Sequence, residues 1–360
     1  MARRIGAIGF VALLLVFSGS GFAASKRSLL SSFVVQAHSF AELRTLVSGY
    51  DIEQRSGLRV EVIIPAAQAK NFQQRFPQAK LVEKDIHDVF TRKDHALPGW
   101  RDGYHTFDTV VSELNQLVQQ YPTMATLENY GSSQEGRQLL ALKITNKTGS
   151  VGKPEVLITS STHGNEIATP ELTLTAIHQL LSGYGTDSRM TAMLDNHIIY
   201  IIPVVCPDGY INQDRYTNGL DPNRDYPYPD QPNHTSNVAI SSEMTWFASK
   251  HIVGSIDIHS NAQMVMYPWA YTEDQVAAAD LPKFEKISDV LAQDTGFQAG
   301  QISRILYIAV GSSADYWYWK HGTVALGFEM GGDDFAPDPS QLPDLINGTL
   351  PALWHFVENF

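Results

Sequence analysis

Val156 to Leu172 reads VLITSSTHGNEIATPEL: an apolar run, a short polar turn, then a stretch with helical character, with His163 and Glu166 three residues apart at the junction. Four other runs have the same nearly continuous apolar character: LLALKIT from Leu139, HIIYIIPVV from His197, VGSIDIH from Val253 and VALGFEM from Val324. Runs of this kind, separated by helix-like segments such as FDTVVSELNQLVQQY, fit strands of a mostly parallel sheet with helices on both faces, an α/β fold. In such sheets ligands collect beyond the carboxyl ends of the strands. His163 and Glu166 stand at one of those ends.

Three further polar sites stand at strand ends or in adjoining loops. Asp221 to Arg224 lie in a loop rich in Gly, Pro and Asn, His259 ends SIDIH, and Glu329 ends VALGFE. Residues three apart on a turn face the same way, so His163 and Glu166 can bind one ion together. Zinc accepts mixed nitrogen and oxygen ligands, and a catalytic zinc uses three of them and keeps one position for water. A glutamate spent as a ligand is unavailable as a base, so the base has to come from elsewhere. Glu329 suits that role, because a carboxylate closing an apolar strand costs desolvation energy unless a cation compensates.

The whole chain limits the reading. Its 360 residues, 43% hydrophobic and 18% charged, suffice for one large domain and a smaller one. A formal charge of −12 with no basic run argues against a nucleic-acid partner. Residues 1–24 have the pattern of a signal peptide: Arg3 and Arg4, the apolar IGAIGFVALLLVFSG, then small residues with Gly21 and Ala23 at an A-x-A-like site. The apolar part is shorter than the roughly 20 residues of a membrane span, so an exported protein, periplasmic or secreted, is expected, with no membrane association after removal of the leader. Cys206 is the only cysteine, which excludes an internal disulfide. Residues 28–92 alternate in the order strand, helix, strand, strand, helix, strand, the ferredoxin-like α+β order. The polar, breaker-rich residues 93–103 read as a linker, and 104–360 as the main domain. His178, His197 and His251 lie in periodic runs and read as structural or surface residues; Trp246, Trp317 and Trp319 read as packing, and Cys206 as a buried small hydrophobe.

Taken together, these residues resemble the zinc carboxypeptidase family of the pancreatic carboxypeptidase A type, over most of Pro98 to Phe360. YHTFDTVVSELNQLVQQYP and GSSQEGRQLLALKIT look like the family's opening helix and EGR strand, and HGNE like its first two ligands. IPVVCPDGY is similar to the NPDG strand end, with Cys206 in place of asparagine. GLDPNRDYPY is similar to GVDLNRNF, DIHSNAQMVMYPW to the third-ligand segment, and LYIAVGSSADYW with FEM to the tyrosine loop and catalytic glutamate strand. The resemblance implies a mixed, mostly parallel sheet and one zinc ion per chain held by His163, Glu166 and His259, with Asp221 holding His163 from behind. It implies Glu329 as base, Asn223 and Arg224 as the grip on a terminal carboxylate, Tyr307 closing over it, and Arg215 stabilising the oxyanion. RYTNGLDPNR, though, is one residue shorter than the commonest family spacing. It assigns the side-chain pocket to Ala270, Ile302, Ala309, Ser313, Ala314 and Gly327, none of them charged, with Arg304 the one residue that would change the selectivity if it turned inward.

The function these features imply is an exported zinc-dependent carboxypeptidase acting on peptide or protein C-termini and releasing apolar or aromatic residues. The small domain would be its pro-segment, or else a permanent accessory domain. Two other readings stay open: a hydrolase of peptidoglycan stem peptides on the same core, and a catalytically inactive peptide-binding module. An amino-acid deacylase is disfavoured by the ordered presence of Asn223, Arg224 and Tyr307.

Overall fold

A computed structural model describes residues 29–56, 58–85, 103–148, 152–332 and 334–360. The leader expected over 1–24 and nearly all of the linker expected over 93–103 lie outside them.

The small domain has strands β1 (Leu30–Gln36), β2 (Asp51–Ser56), β3 (Arg59–Pro65) and β4 (Lys80–Glu83), with helices over Phe40–Gly49 and Ala69–Arg75. Its sheet is antiparallel in the order β2-β3-β1-β4, the ferredoxin-like arrangement. Ser39 caps the first helix: its hydroxyl accepts from the Glu42 N–H at 3.2 Å, while the Glu42 carboxylate accepts from the N–H of the preceding residue, His38, at 2.6 Å. Phe33, Phe72 and Phe76 pack beneath the sheet with centroids 5.3 and 5.0 Å apart.

The main domain is built on eight strands: β5 (Ala125–Ser132), β6 (Gln138–Ile144), β7 (Glu155–Ser160), β8 (Ile198–Ile202), β9 (Ile252–His259), β10 (Gln263–Tyr267), β11 (Gln298–Gln301) and β12 (Val324–Met330). Their order is β11-β10-β12-β9-β7-β8-β6-β5. The four central strands β12, β9, β7 and β8 are parallel; β5, β6 and β10 join antiparallel. Alternation along β6 sends Leu140, Leu142 and Ile144 to one core and Leu139 and Ala141 to another. The first core carries helices Phe107–Gln120, Ala168–Gly183, Leu281–Thr295 and Leu342–Glu358; the second carries Val238–Phe247 and Ser313–His321. Both faces are therefore covered, which is why the central strands read as unbroken apolar runs. Among the described residues no helix is long and apolar enough to cross a membrane.

Two motifs noted in the sequence meet across this sheet. Arg137 of SSQEGR donates to Asp208 of CPDG at 2.6 Å, and Asp208 also accepts from the Ser133 hydroxyl at 2.6 Å and the Glu135 N–H at 3.1 Å. Between the two domains, Leu30 and Ile63 of the small sheet bury against Tyr216. Beside that contact runs a cleft of about 410 Å³ whose walls include Pro65, Asp221, Arg224 and Tyr228.

The main domain enters its first helix through His105. The ring sits between two carboxylates, Nε2 at 2.9 Å from Glu113 and Nδ1 at 2.7 Å from Glu171, and the His105 N–H donates to Glu171 at 2.7 Å. Hydrogen bonds to Glu113 and then Glu171 outweigh partial burial and push the imidazolium pKa up to about 10. Because the folded value is raised, the stabilisation is complete below the unfolded value near 6.5 and is lost as the pH climbs towards 10. His105→Gln is expected to lower the melting temperature most between pH 5 and 6.5, with the deficit shrinking steadily up to pH 10. Melting curves of both proteins across that range check this; a constant deficit would mean that the charge of His105 does not matter.

Candidate metal centre and substrate pocket

The carboxyl ends of β7, β9 and β12 lie side by side, and the site is built on them. Glu329 pairs in register with His259 on the neighbouring parallel strand, so both side chains leave the sheet on the same side. β7 ends at Ser160, and the turn after it carries His163 and Glu166 into the same place. That turn depends on a close backbone approach: a Cβ on Gly164 would lie 2.0 Å from the carbonyl carbon of Gly209, so only glycine lets the HGNE turn rest on the CPDG segment.

His163, Glu166 and His259 are all buried, and one ligand atom from each lies within 4.8 Å of the others. Among the described residues this is the one cluster of its kind. Atoms bound to one zinc at about 2.0–2.2 Å can be at most about 4.4 Å apart, so only a small adjustment would let these three share an ion. Each oxygen of Glu166 faces one ring: Oε1 is 2.7 Å from His163 Nδ1, and Oε2 is 3.0 Å from His259 Nδ1. Burial opposes charge on Glu166, but the two histidines outweigh it and hold its carboxyl at about 2. The outer nitrogens are also held, His163 Nε2 at 3.0 Å from Asp221 Oδ1 and His259 Nε2 at 3.1 Å from Asp257 Oδ2. A donor set of two imidazole nitrogens and one carboxylate, each ring backed by a carboxylate, fits zinc.

Arg215 lies against this cluster. Its Nε and Nη2 are both 3.0 Å from Asp221 Oδ2, and Nη1 is 3.3 Å from His163 Nδ1. Glu329 borders the same cavity, and its Oε2 is enclosed without a hydrogen-bond partner. Burial raises its pKa, with the nearby histidines pulling the other way. Such a carboxylate has room for a proton and no competing donor on that oxygen.

The cavity, about 140 Å³, continues from these groups to Asn223, Arg224 and Tyr307. Arg224 Nη2 donates to the Tyr307 hydroxyl at 3.1 Å, and its guanidinium carbon lies 5.7 Å from the tyrosine ring centre. The loop behind Tyr307 crosses the backbone of Arg224 at Gly311, where φ is +75° and a Cβ would be 2.3 Å from the Arg224 carbonyl oxygen. Asn223 Oδ1 accepts from the Ser313 N–H at 2.9 Å, which fixes which end of the amide points where. Asp315 pins the same region by accepting from the N–H groups of Ala270 and Tyr271 at 2.8 and 2.9 Å. Its burial pushes its pKa up to about 7.

Residues 110–352 match the zinc carboxypeptidase family. The chain belongs to that family of zinc metallopeptidases. The zinc carboxypeptidase of Saccharothrix mutabilis subsp. capreolus is 30% identical over 274 residues, 65% of this chain and 63% of that protein. Carboxypeptidase A2 of Rattus norvegicus is 28% identical over 267 residues, 64% of this chain and 63% of the relative. The match thus spans less than two thirds of either relative. In fold, the chain is similar to the carboxypeptidase A of Helicoverpa armigera, with a TM-score of 0.70 at 20% identity, covering 93% of this chain and 98% of that one.

All the single residues named from the sequence for metal, base and carboxylate roles are found around this zinc carboxypeptidase cavity, with Asp221 just behind it. In the pocket one assignment has to be corrected. Ala270 is wholly buried, its N–H spent on Asp315 and its carbonyl on the Ala309 N–H, so it supports the wall without lining it. Met266, Leu306 and Phe335 line the cavity without having been foreseen. Met266 arrives on β10, and its Cε is 3.7 Å from where a Cβ on Gly327 would be. Arg304 turns outward, its Nε and Nη2 donating to the Glu273 carbonyl at 3.2 and 2.9 Å. Asp257, not among the residues expected from the sequence, shares the face of β9 with His259, as D-x-H spacing on a strand dictates.

Proposed function

We propose that the chain is an exported zinc-dependent carboxypeptidase that hydrolyses the last peptide bond of a peptide and prefers apolar or aromatic terminal residues. The observation that carries this reading is a single cavity that holds the His163–Glu166–His259 cluster, the unpartnered oxygen of Glu329 and the Arg224–Tyr307 pair together. His163, Glu166 and His259 would hold the ion. When bound there, zinc supplies a Lewis acid that polarises the scissile carbonyl and acidifies water.

The chain's own groups have the remaining tasks. Glu329 takes the proton of the attacking water and returns it to the leaving amine. Arg215, steadied by Asp221, aims Nη1 at charge that develops on the carbonyl oxygen in the transition state. Arg224 exchanges the Tyr307 hydroxyl for the terminal carboxylate of the substrate, a charge-assisted contact of fixed geometry. Asn223 donates through its NH2 end, since its oxygen is held by Ser313. This double grip restricts attack to the final bond.

The terminal side chain would enter a space walled by Met266, Ile302, Leu306, Ala309, Ala314 and Gly327, with no charged residue among them. An ammonium buried there without a partner carries a large desolvation cost, whereas an aromatic ring gains by leaving water. The outward turn of Arg304 supports apolar over acidic selectivity. The small domain packs beside the Arg224 loop and narrows its approach, which favours the pro-segment reading over an accessory domain.

Glu329→Gln should retain one zinc per chain by elemental analysis while turnover falls on the order of 10²-fold or more; near-normal turnover would remove Glu329 as the base. With a library of free-ended peptides, mass spectrometry should find release of Phe, Tyr, Leu and Met ahead of Lys and Arg, and Ala314→Asp should shift release towards the basic pair. Cleavage confined to peptidoglycan stem peptides would favour the cell-wall reading, and zinc binding without any hydrolysis the inactive module. Limited proteolysis near Arg92 or Lys93 should raise activity, and full activity of the uncut chain would favour an accessory domain.

A further inference from the structure

The two ligand histidines are oriented alike, with Nδ1 turned to Glu166 and Nε2 turned to a buried aspartate. Asp221 is one of these aspartates. The other, Asp257, lies two residues before His259 on the same face of β9 and is 3% exposed. Its surroundings are all donors. Oδ1 accepts from the hydroxyls of Thr159 at 2.8 Å and Thr162 at 3.0 Å; Oδ2 accepts from the Ser313 hydroxyl at 2.9 Å and lies 3.1 Å from His259 Nε2 and 3.2 Å from the Thr162 hydroxyl.

A second group approaches the same nitrogen with the opposite demand. Asn223 Nδ2 is 3.1 Å from His259 Nε2, and the Ser313 N–H on Asn223 Oδ1 keeps the NH2 end of that amide pointing there. An NH2 group favours the tautomer whose Nε2 is an acceptor, and a neutral ring then has its proton on Nδ1. That tautomer has no lone pair for an ion at Nδ1. The carboxylate of Asp257 favours the other tautomer, with Nε2–H donating and Nδ1 free to ligate.

We propose that Asp257 is a positioning residue that sets the tautomer and direction of His259 against the competing amide of Asn223, and so makes His259 a metal ligand. The inference rests on the zinc reading of the cluster. Asparagine at 257 would either turn its NH2 towards the ring and force the wrong tautomer, or offer His259 Nε2 a neutral amide oxygen, a weaker acceptor than the carboxylate against the competing Asn223 amide. Hydroxyl donors can rotate to suit an amide; the His259 N–H cannot. The loss should therefore appear in metal binding more than in folding.

The test uses the full chain and chelator competition with zinc alone. Asp257→Asn should bind zinc about 10- to 100-fold more weakly, whereas Thr162→Val, which removes a hydroxyl partner of Asp257 and leaves the carboxylate, should stay within about threefold of the unmodified chain. Melting of the metal-free proteins is measured alongside. Unchanged zinc affinity in Asp257→Asn overturns the inference, as does a loss in Thr162→Val as large as in Asp257→Asn, which would mark a general packing effect. If Asp257→Asn does not fold, nitrogen-15 NMR of the unmodified zinc-loaded chain decides: a protected Nε2–H on His259 is expected, and a proton-free Nε2 overturns the proposal. Failure of the unmodified chain to take up zinc at all would instead defeat the reading of the cluster as a metal centre.

Discussion

The register of three parallel strands is the constraint on which the rest of this molecule depends. Glu329 stands opposite His259, Gly327 opposite Asp257, and Asp257 opposite Thr159, so the ends of β12, β9 and β7 present their polar groups on one side. A slip of one residue in β9 would exchange His259 and Asp257 for Ile258 and put the ligand into the apolar core. The cores on both faces prevent such a slip, because each strand residue has an assigned side: Ile256 and Ile258 pack with the helices of one face and leave Asp257 and His259 to the other. Apolar packing far from the site thus fixes where its charges stand.

What the strands begin, loops complete, and they do so through backbone contacts that leave no space for a side chain. Gly164 meets Gly209, and Gly311 meets Arg224. The first contact sets the HGNE turn on the CPDG segment, which Asp208 in turn ties to the EGR turn through Arg137. The second sets the tyrosine loop on the arginine that Tyr307 touches. Loops held backbone to backbone have few ways to drift, which is how irregular segments can hold groups as exactingly as strands do.

Much of this was legible in the chain, and the remainder was hidden for identifiable reasons. The buried parallel strands announce themselves because both faces need apolar side chains. β11, with the sequence QAGQ, carries no such signal; its pairing with β10 comes from the packing of neighbouring elements. β5 loses its alternation at a register shift between Asn129 and Gly131. The convergence of His163, Glu166, His259 and Glu329 could be read because residue type, strand end and order agree. The pocket wall was less accessible: Ala270 and Met266 are close in sequence, and the backbone at Ala270 is held by donating to Asp315, a residue 45 positions further on. Asp257 is legible only through its D-x-H spacing to His259, because a single acid between two isoleucines otherwise looks like an interruption of the strand.

The contact between Arg224 and Tyr307 also bears on how quickly a bound molecule can leave. A half-buried guanidinium with no internal acceptor would bind a carboxylate with the full strength of a charge-assisted pair. Here the tyrosine hydroxyl satisfies one of its N–H groups beforehand. Under the proposed carboxypeptidase reading, arrival of a terminal carboxylate would be an exchange of one acceptor for another, and departure the reverse exchange. The difference between the two partners, and not the full strength of either, would then set the residence time. A weak internal stand-in of this kind lets a site be selective for an anionic end and still empty itself quickly.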